Sequence, residues 1–143
     1  MTKKNHYSPM SQLRYDIVEI AKDLQKEFGV THQEPRYHST FFDNLQSAAF
    51  RVENKPKLVV KGKSGKQLFH YEPDLYVRRD GLSLLVELKA DDGGLSPAHI
   101  QQAKSYLSVA PKQDKGIFLM NFARKSKSIS YLPEFKMIHR SDL

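Results

Sequence analysis

The residues of this chain best suited to chemistry are two carboxylates and a lysine on one predicted β-hairpin. Asp80-Gly81 is the kind of dipeptide that most strongly indicates a two-residue type I′ hairpin loop. With that loop, Asp74 and Glu87 lie directly opposite each other on the two strands. Because side chains alternate between the faces of a strand, Lys89 shares the face of Glu87, whereas the other face of the hairpin is apolar.

Opposed carboxylates indicate a bound cation or a shared proton. Directly opposite residues have Cβ atoms about 4.5–5.5 Å apart, and like charges placed there are destabilising. A fold tolerates such a pair when a cation lies between the carboxylates or when one of them is protonated. Mg²⁺ binds through one or two carboxylates together with waters and substrate phosphates, and Lys89 could orient or polarise a metal-bound water. The alternative is an exposed hairpin whose charges point into solvent.

The order of helices and strands predicts a mixed α/β domain. A helical apolar stripe runs from Tyr15 to Phe28, where Gly29 ends it, and further helices begin near Pro35 and Pro97. The segments with strand patterns are 49–55, 57–63, 67–77, 82–90, 116–122 and 128–132. Helices, then a β-meander, then a helix that crosses over to another strand predict an α/β fold with a mixed sheet.

Composition indicates one domain and excludes several chemistries. The 143 residues suit a single domain at 13–143 after a flexible basic arm at 1–12. The absence of Cys excludes disulfides, thiolate zinc sites and cysteine nucleophiles. No H-x-x-x-H, Walker or G-x-S-x-G motif occurs. Without an apolar run of about 18 residues or a signal-peptide core, we expect no membrane span and a cytoplasmic or nuclear location.

A basic charge excess indicates a polyanionic partner. The chain has 23 Lys and Arg against 16 Asp and Glu, a net charge of +7, and the excess is concentrated in residues 51–70 and 111–143. Nucleic acid is the commonest partner of a domain with this charge. The alternative is a lysine-rich surface that serves solubility. The side chains that we expect to contact nucleic acid are Lys57, Lys61, Lys63, Lys66, Arg124, Lys125 and Lys127.

Five motifs in order give the chain a resemblance to a known group of proteins. They are EPRY (34–37), PD (73–74), VELKA (86–90), HIQQAKSYL (99–107) and GIFLMNF (116–122). Together they are similar to the signature of the PD-(D/E)XK nuclease superfamily and, more narrowly, to the small family named for its G-x-x-E-x-x-Y motif. Thr31 stands where that motif has its glycine.

This resemblance implies a restriction-endonuclease-like core and a role for each matching residue. Asp74 and Glu87 would hold Mg²⁺ or Mn²⁺, Glu34 would add a ligand directly or through water, and Lys89 would position or deprotonate the attacking water. Gln102 and Tyr106 would support the site from one face of a helix, although Tyr106 could instead belong to the core.

The function that the resemblance implies is metal-dependent hydrolysis of nucleic acid, with DNA expected ahead of RNA. The alternative is a non-catalytic nucleic-acid-binding or packaging protein that retains the nuclease fold. A homodimer is also open, because the predicted edge strand at 128–132 could pair with its own copy.

Overall fold

Three α-helices and seven β-strands position the predicted site in the computed structural model, which describes residues 8–30, 32–123 and 132–143. The helices of this described part are α1 (Pro9–Phe28), α2 (Glu34–Ser47) and α3 (Pro97–Val109). Its strands are β1 (Arg51–Asn54), β2 (Leu58–Lys61), β3 (Gln67–Tyr71), β4 (Leu75–Arg79), β5 (Leu82–Lys89), β6 (Gly116–Asn121) and β7 (Glu134–His139). A short 3₁₀ turn, Arg140–Asp142, follows β7.

Five strands form one mixed sheet in the order β1-β4-β5-β6-β7. Only the β5–β6 pair of this sheet is parallel, and α3 makes the crossover between those two strands. A separate two-stranded sheet contains β2 and β3. The mixed α/β sheet flanked by helices that the sequence predicts is therefore confirmed.

The β4–β5 hairpin has the predicted register. Arg79 is paired with Leu82 and Leu75 with Val86, as a two-residue loop requires. Asp80 and Gly81 have φ angles of 53° and 78°, the left-handed backbone of a type I′ turn. Asp74 therefore comes just before β4, beside Glu87 of β5.

Each face of the sheet buries its own apolar cluster. On one face, α1 and α2 cover a cluster that includes Leu75, Val77, Leu84, Val86 and Leu88, all of which are fully buried. On the other face, α3 packs on Leu85, Ile117 and Leu119 through Ala103 and Leu107. The helices therefore hold the hairpin from both sides.

Helix α1 begins earlier than the sequence pattern indicates. We expected a flexible arm over residues 1–12, but the helix starts at Pro9, so residues 9–12 belong to it. The side chain of Ser8 caps the helix by accepting a hydrogen bond from the amide of Ser11, and Pro9 suits the first helical position. Residues 1–7 lie outside the described part of the chain.

Two strand predictions need correction. The segment 67–77 is not one strand, because it divides at Pro73 into β3 and β4, which belong to different sheets. Strand β7 was not predicted; its apolar residues Phe135 and Ile138 face opposite sides, which hides the usual alternation. Residues 128–131 of the expected edge strand, and the dimer contact expected there, lie outside the described residues.

No helix in the described part of the chain is long and apolar enough to cross a bilayer.

Candidate active site

Asp74 and Glu87 are linked by hydrogen bonds at the open end of the β4–β5 hairpin. The amide of Asp74 donates to Oε1 of Glu87 at 3.0 Å, and the amide of Leu88 donates to Oδ2 of Asp74 at 2.7 Å. These bonds continue the strand pairing through side chains, one residue beyond the last paired residues of β4. The two carboxylates are thus held next to each other, as the hairpin register predicts.

Lys89 connects this carboxylate pair to α3. Its Nζ lies 3.2 Å from Oε2 of Glu87 and donates to Oε1 of Gln102 at 3.0 Å. A capping box between Ser96 and His99 starts α3, which carries Gln102 one turn later. The structure therefore brings together four of the residues that the sequence singles out: Asp74, Glu87, Lys89 and Gln102.

Glu34 lies at the start of α2, beside the same cavity as Asp74. Both residues line a cavity of about 350 Å³, together with His38 and Asn54. Burial raises the pKa of Glu34, and the negative charge of Asp74 raises it further. The structure thus places Glu34 near enough to Asp74 for their charges to interact.

His38 belongs to the site but was not predicted. Its Nδ1 lies 3.4 Å from Oδ1 of Asp74, and its Nε2 makes a 2.6 Å hydrogen-bonding contact with Oδ1 of Asn54. The hydrogen bond to Asp74 raises the pKa of His38 and outweighs the opposite effect of burial. The signal that could have found it is its spacing from Glu34, because residues four apart share one face of a helix.

Burial and mutual repulsion change the titration of the carboxylate pair. Burial raises the pKa of Glu87, and the charge of Asp74 adds to it, so that the pKa reaches about 8 despite the nearby Lys89. Burial also raises the pKa of Asp74, but the hydrogen bonds from His38 and from the Leu88 amide outweigh it, and the net shift is downward. The pair therefore favours holding one proton, on Glu87, over carrying two negative charges.

This set of donors fits a hard divalent cation. Within the described residues no group of three or more His, Cys, Asp or Glu is arranged as a ready-made metal cage. Asp74 and Glu87 nevertheless offer carboxylate oxygens, which can each accept more than one bond. Mg²⁺ commonly binds through just one or two carboxylates, with water and phosphate oxygens completing its shell. A cation bound between Asp74 and Glu87 would offset the repulsion that raises the pKa of Glu87.

Tyr106 is a buried residue at the edge of the site. Its ring contacts Tyr71 at 5.3 Å between centroids. Burial, followed by the negative charges of Glu87 and Asp74, raises the pKa of Tyr106 to about 12. Tyr106 is therefore both part of the apolar cluster under α3 and a neighbour of the carboxylates.

Tyr37, the tyrosine of the EPRY motif, has a structural position. Its hydroxyl donates to the carbonyl of Gly29 at 2.7 Å, and its ring stacks on Phe122 at 4.6 Å. These contacts attach α2 to the end of α1 and to the segment after β6. Tyr37 thus holds the helix on which Glu34 and His38 lie.

The predicted nucleic-acid contacts divide into two groups. The first group is exposed on or next to the β2–β3 hairpin, and its members are Lys57, Lys61, Lys63 and Lys66. The second group, Arg124, Lys125 and Lys127, lies outside the described residues.

Comparison with sequence families identifies the group to which the chain is related. A sequence model of the PD-(D/E)XK nuclease superfamily matches residues 11–131. The chain belongs to this superfamily. Membership supports a nuclease with a restriction-endonuclease-like fold, a class that generally uses divalent metals. The match is to the superfamily, and the narrower resemblance to the G-x-x-E-x-x-Y family stays a prediction.

Two solved structures are similar to this PD-(D/E)XK superfamily member. "Crystal structure of SSO0001" has a TM-score of 0.52 and 17% identity, covering 74% of this chain and 50% of that one. This chain thus spans about half the length of that protein, and the similarity shows the fold alone. The alkaline exonuclease LHK-Exo from Laribacter hongkongensis has a TM-score of 0.48 and 13% identity, covering 99% of this chain and 73% of that one. No curated protein sequence matches the chain significantly.

Proposed function

We propose that this chain is a metal-dependent nuclease that hydrolyses phosphodiester bonds of nucleic acid, with DNA preferred over RNA. The observation that carries the proposal is the hydrogen-bonded pair of Asp74 and Glu87 with Lys89 in contact with it. Superfamily membership supports the same reaction class.

Three carboxylates are assigned to the metal. Asp74 and Glu87 would hold Mg²⁺ or Mn²⁺, and Glu34 would add a ligand directly or through water from its place in the adjoining cavity. When bound, the metal supplies positive charge that stabilises the transition state and makes a water more acidic. His38 and the Leu88 amide keep Asp74 ionised and oriented, because both bind its carboxylate oxygens.

Lys89 is assigned to the attacking water. An ammonium group has three donors, and Lys89 directs two of them to Glu87 and Gln102. The remaining donor can hold a water or a phosphate oxygen beside the carboxylates. Gln102 is a positioning residue, since it acts through the ammonium of Lys89, and Tyr106 supports the same end of the site by packing.

The basic residues are assigned to the substrate backbone. Lys57, Lys61, Lys63 and Lys66 are exposed on or next to the β2–β3 hairpin and would neutralise phosphates, as would Arg124, Lys125 and Lys127. Phosphate contacts carry no base identity. We therefore expect cleavage that depends little on sequence.

Cleavage assays separate this proposal from the alternative. The purified chain is incubated with labelled DNA and RNA of several shapes, with Mg²⁺, with Mn²⁺ and with EDTA, beside the variants Asp74→Asn and Glu87→Gln. We expect cleavage with metal, none with EDTA, and none by either variant although both still bind DNA. Binding without cleavage in every condition would favour the non-catalytic nucleic-acid-binding or packaging protein.

A further inference from the structure

The β2–β3 hairpin exposes large apolar side chains among lysines. Val59, Leu68 and Phe69 have exposed fractions of 40%, 62% and 48%. Lys61, Lys63 and Lys66, which surround the turn of the same hairpin, are exposed as well. Exposed apolar clusters mark interaction sites. Lys is depleted at the centres of protein–protein interfaces, whereas aromatic rings beside a positive groove are the usual surface for unpaired nucleic acid.

The two faces of this hairpin differ. Val60 is paired with Phe69 and Leu58 with Tyr71, so these four side chains share one face. That face is turned towards α3, because Leu58 and Tyr71 both pack in the cluster under that helix. Val59, which lies between Leu58 and Val60 and is paired with His70, lies on the opposite face of the hairpin.

A row of aromatic rings leads from the hairpin to the carboxylates. Phe69 contacts Tyr71 with ring centroids 5.3 Å apart, and Tyr71 contacts Tyr106 at the same separation. Tyr106 in turn lies one turn after Gln102 on α3, and Gln102 accepts a 3.0 Å hydrogen bond from Lys89 of the site. The outermost ring, Phe69, is half exposed, whereas Tyr106 is buried beside the site.

We propose that Phe69, supported by Tyr71, stacks on an unpaired base of the substrate, so that the preferred substrate is nucleic acid with a single-stranded segment at the cleavage site. A base-paired duplex hides its base faces within the stack, whereas a single strand offers a face of every base. Lys61, Lys63 and Lys66 contact the phosphates on either side of the stacked base. This inference rests on the proposed function for the position of the cleaved bond.

Binding of oligonucleotides in EDTA tests the inference without cleavage. The probe is a short single-stranded DNA with 2-aminopurine, whose fluorescence falls on stacking, and the comparison is a blunt duplex of the same sequence. We expect Phe69→Ala to weaken single-strand binding roughly five- to 100-fold and to abolish the quenching, with little effect on the duplex. Phe69→Trp, which keeps an aromatic face, is expected to restore both.

Val59→Ala is the matched control, because it removes an exposed apolar side chain from the opposite face of the hairpin. We expect it to leave single-strand binding unchanged. An equal loss of single-strand binding in Val59→Ala and Phe69→Ala, or an equal loss in Phe69→Ala on duplex and single strand, would overturn the inference. So would self-association of the chain that Phe69→Ala removes, because the patch would then bind a second copy.

Cleavage assays keep this inference separate from the proposed function. If the chain cleaves with metal and Asp74→Asn does not, while Phe69→Ala binds single strands normally, the nuclease stands and the stacking is wrong. If Phe69→Ala loses single-strand binding while no metal supports cleavage, the stacking stands and the nuclease is wrong.

Discussion

The amide of Asp74 donates a 3.0 Å hydrogen bond to the side chain of Glu87, and the amide of Leu88 donates a 2.7 Å bond to the side chain of Asp74. Each carboxylate is therefore held by the backbone of the opposite strand. The arrangement has two consequences. The separation of the carboxylates is set by the hairpin before any ligand binds, and each carboxylate also has a structural role as a hydrogen-bond acceptor.

The structural role of Asp74 predicts that Asp74→Ala and Asp74→Asn differ in their free energy of unfolding in the metal-free protein. Asp74→Ala leaves the part-buried Leu88 amide without its acceptor, and we expect a loss of about 1–3 kcal/mol in the free energy of unfolding. Asp74→Asn keeps an oxygen acceptor for the Leu88 amide, so we expect a smaller loss, which comes from the weakened contact with His38.

Urea unfolding in EDTA measures this difference, with Asp43→Ala on the exposed face of α2 as the control. Metal binding, measured by calorimetry, is expected to be lost in both Asp74 variants. Equal stabilities of Asp74→Ala and Asp74→Asn would show that the bond to Leu88 contributes nothing.

The raised pKa of Glu87 predicts that the metal-free protein loses stability as pH rises. The pKa is about 8 in the folded chain against an ordinary value of 4.5, so between these values the folded state binds a proton that the unfolded state has released. Stability from Glu87 is thus fully present below pH 4.5 and is lost as pH rises through 8. The lowered pKa of Asp74 acts in the opposite sense, but below its ordinary value of 3.8.

Unfolding in EDTA from pH 5 to 9 tests this dependence, with Glu87→Gln as the reference. The variant is needed because the raised pKa of His38 changes stability in the same direction. We expect the free energy of unfolding of the wild type to fall relative to that of Glu87→Gln as pH rises. Mg²⁺ is expected to stabilise the wild type more at pH 8 than at pH 6, because it competes with the proton on Glu87.

The site end of the hairpin could be predicted from sequence because one local signal determines it. Asp80-Gly81 fixes a two-residue loop, and the register of every pair from Arg79–Leu82 onwards follows from it. Asp74 and Glu87 then meet without any knowledge of the rest of the fold. The same reasoning reaches Lys89, because alternation along a strand is equally local.

His38 and the division of 67–77 could not be predicted in this way. The contact of His38 with Asp74 depends on how α2 packs against β1, where Asn54 binds the other ring nitrogen. β3 and β4 have continuous strand character, and only long-range pairing assigns them to different sheets. Both features depend on tertiary packing, which local patterns do not record.

The contacts of Lys89 predict that its substitution lowers the rate of hydrolysis strongly and that substitution of its partner Gln102 lowers the rate less. We expect Lys89→Met to lower kcat roughly 10²–10⁴-fold, the range for loss of a group that acts on the reacting water. Metal affinity is expected to be retained or increased, because a positive charge 3.2 Å from Glu87 is removed.

Gln102→Leu frees the ammonium of Lys89 from α3 and is expected to lower kcat by a smaller factor, with KM unchanged. Gln101→Leu, one residue earlier on the exposed side of α3, is the control. Single-turnover rates at saturating substrate provide the measurement. A fall in substrate affinity instead of kcat in Gln102→Leu would assign this residue to binding.

The last prediction concerns the lysines of the β2–β3 hairpin and the salt dependence of binding. Each phosphate that a lysine neutralises releases counterions and adds about −0.9 to the slope of log K against log salt on duplex DNA, or about −0.7 on single strands. We therefore expect the triple variant of Lys61, Lys63 and Lys66 to Gln to flatten the slope by roughly 2 units on single-stranded DNA.

The control is the double variant Lys112→Gln with Lys115→Gln, which lies at the opposite end of the sheet, before β6. We expect it to leave the slope unchanged. Metal affinity without nucleic acid is expected to stay the same, because exposed charges are screened over about 8–10 Å. An unchanged slope in the triple variant would mean that the hairpin lysines do not contact the backbone, and would leave Arg124, Lys125 and Lys127 as the phosphate contacts to test next.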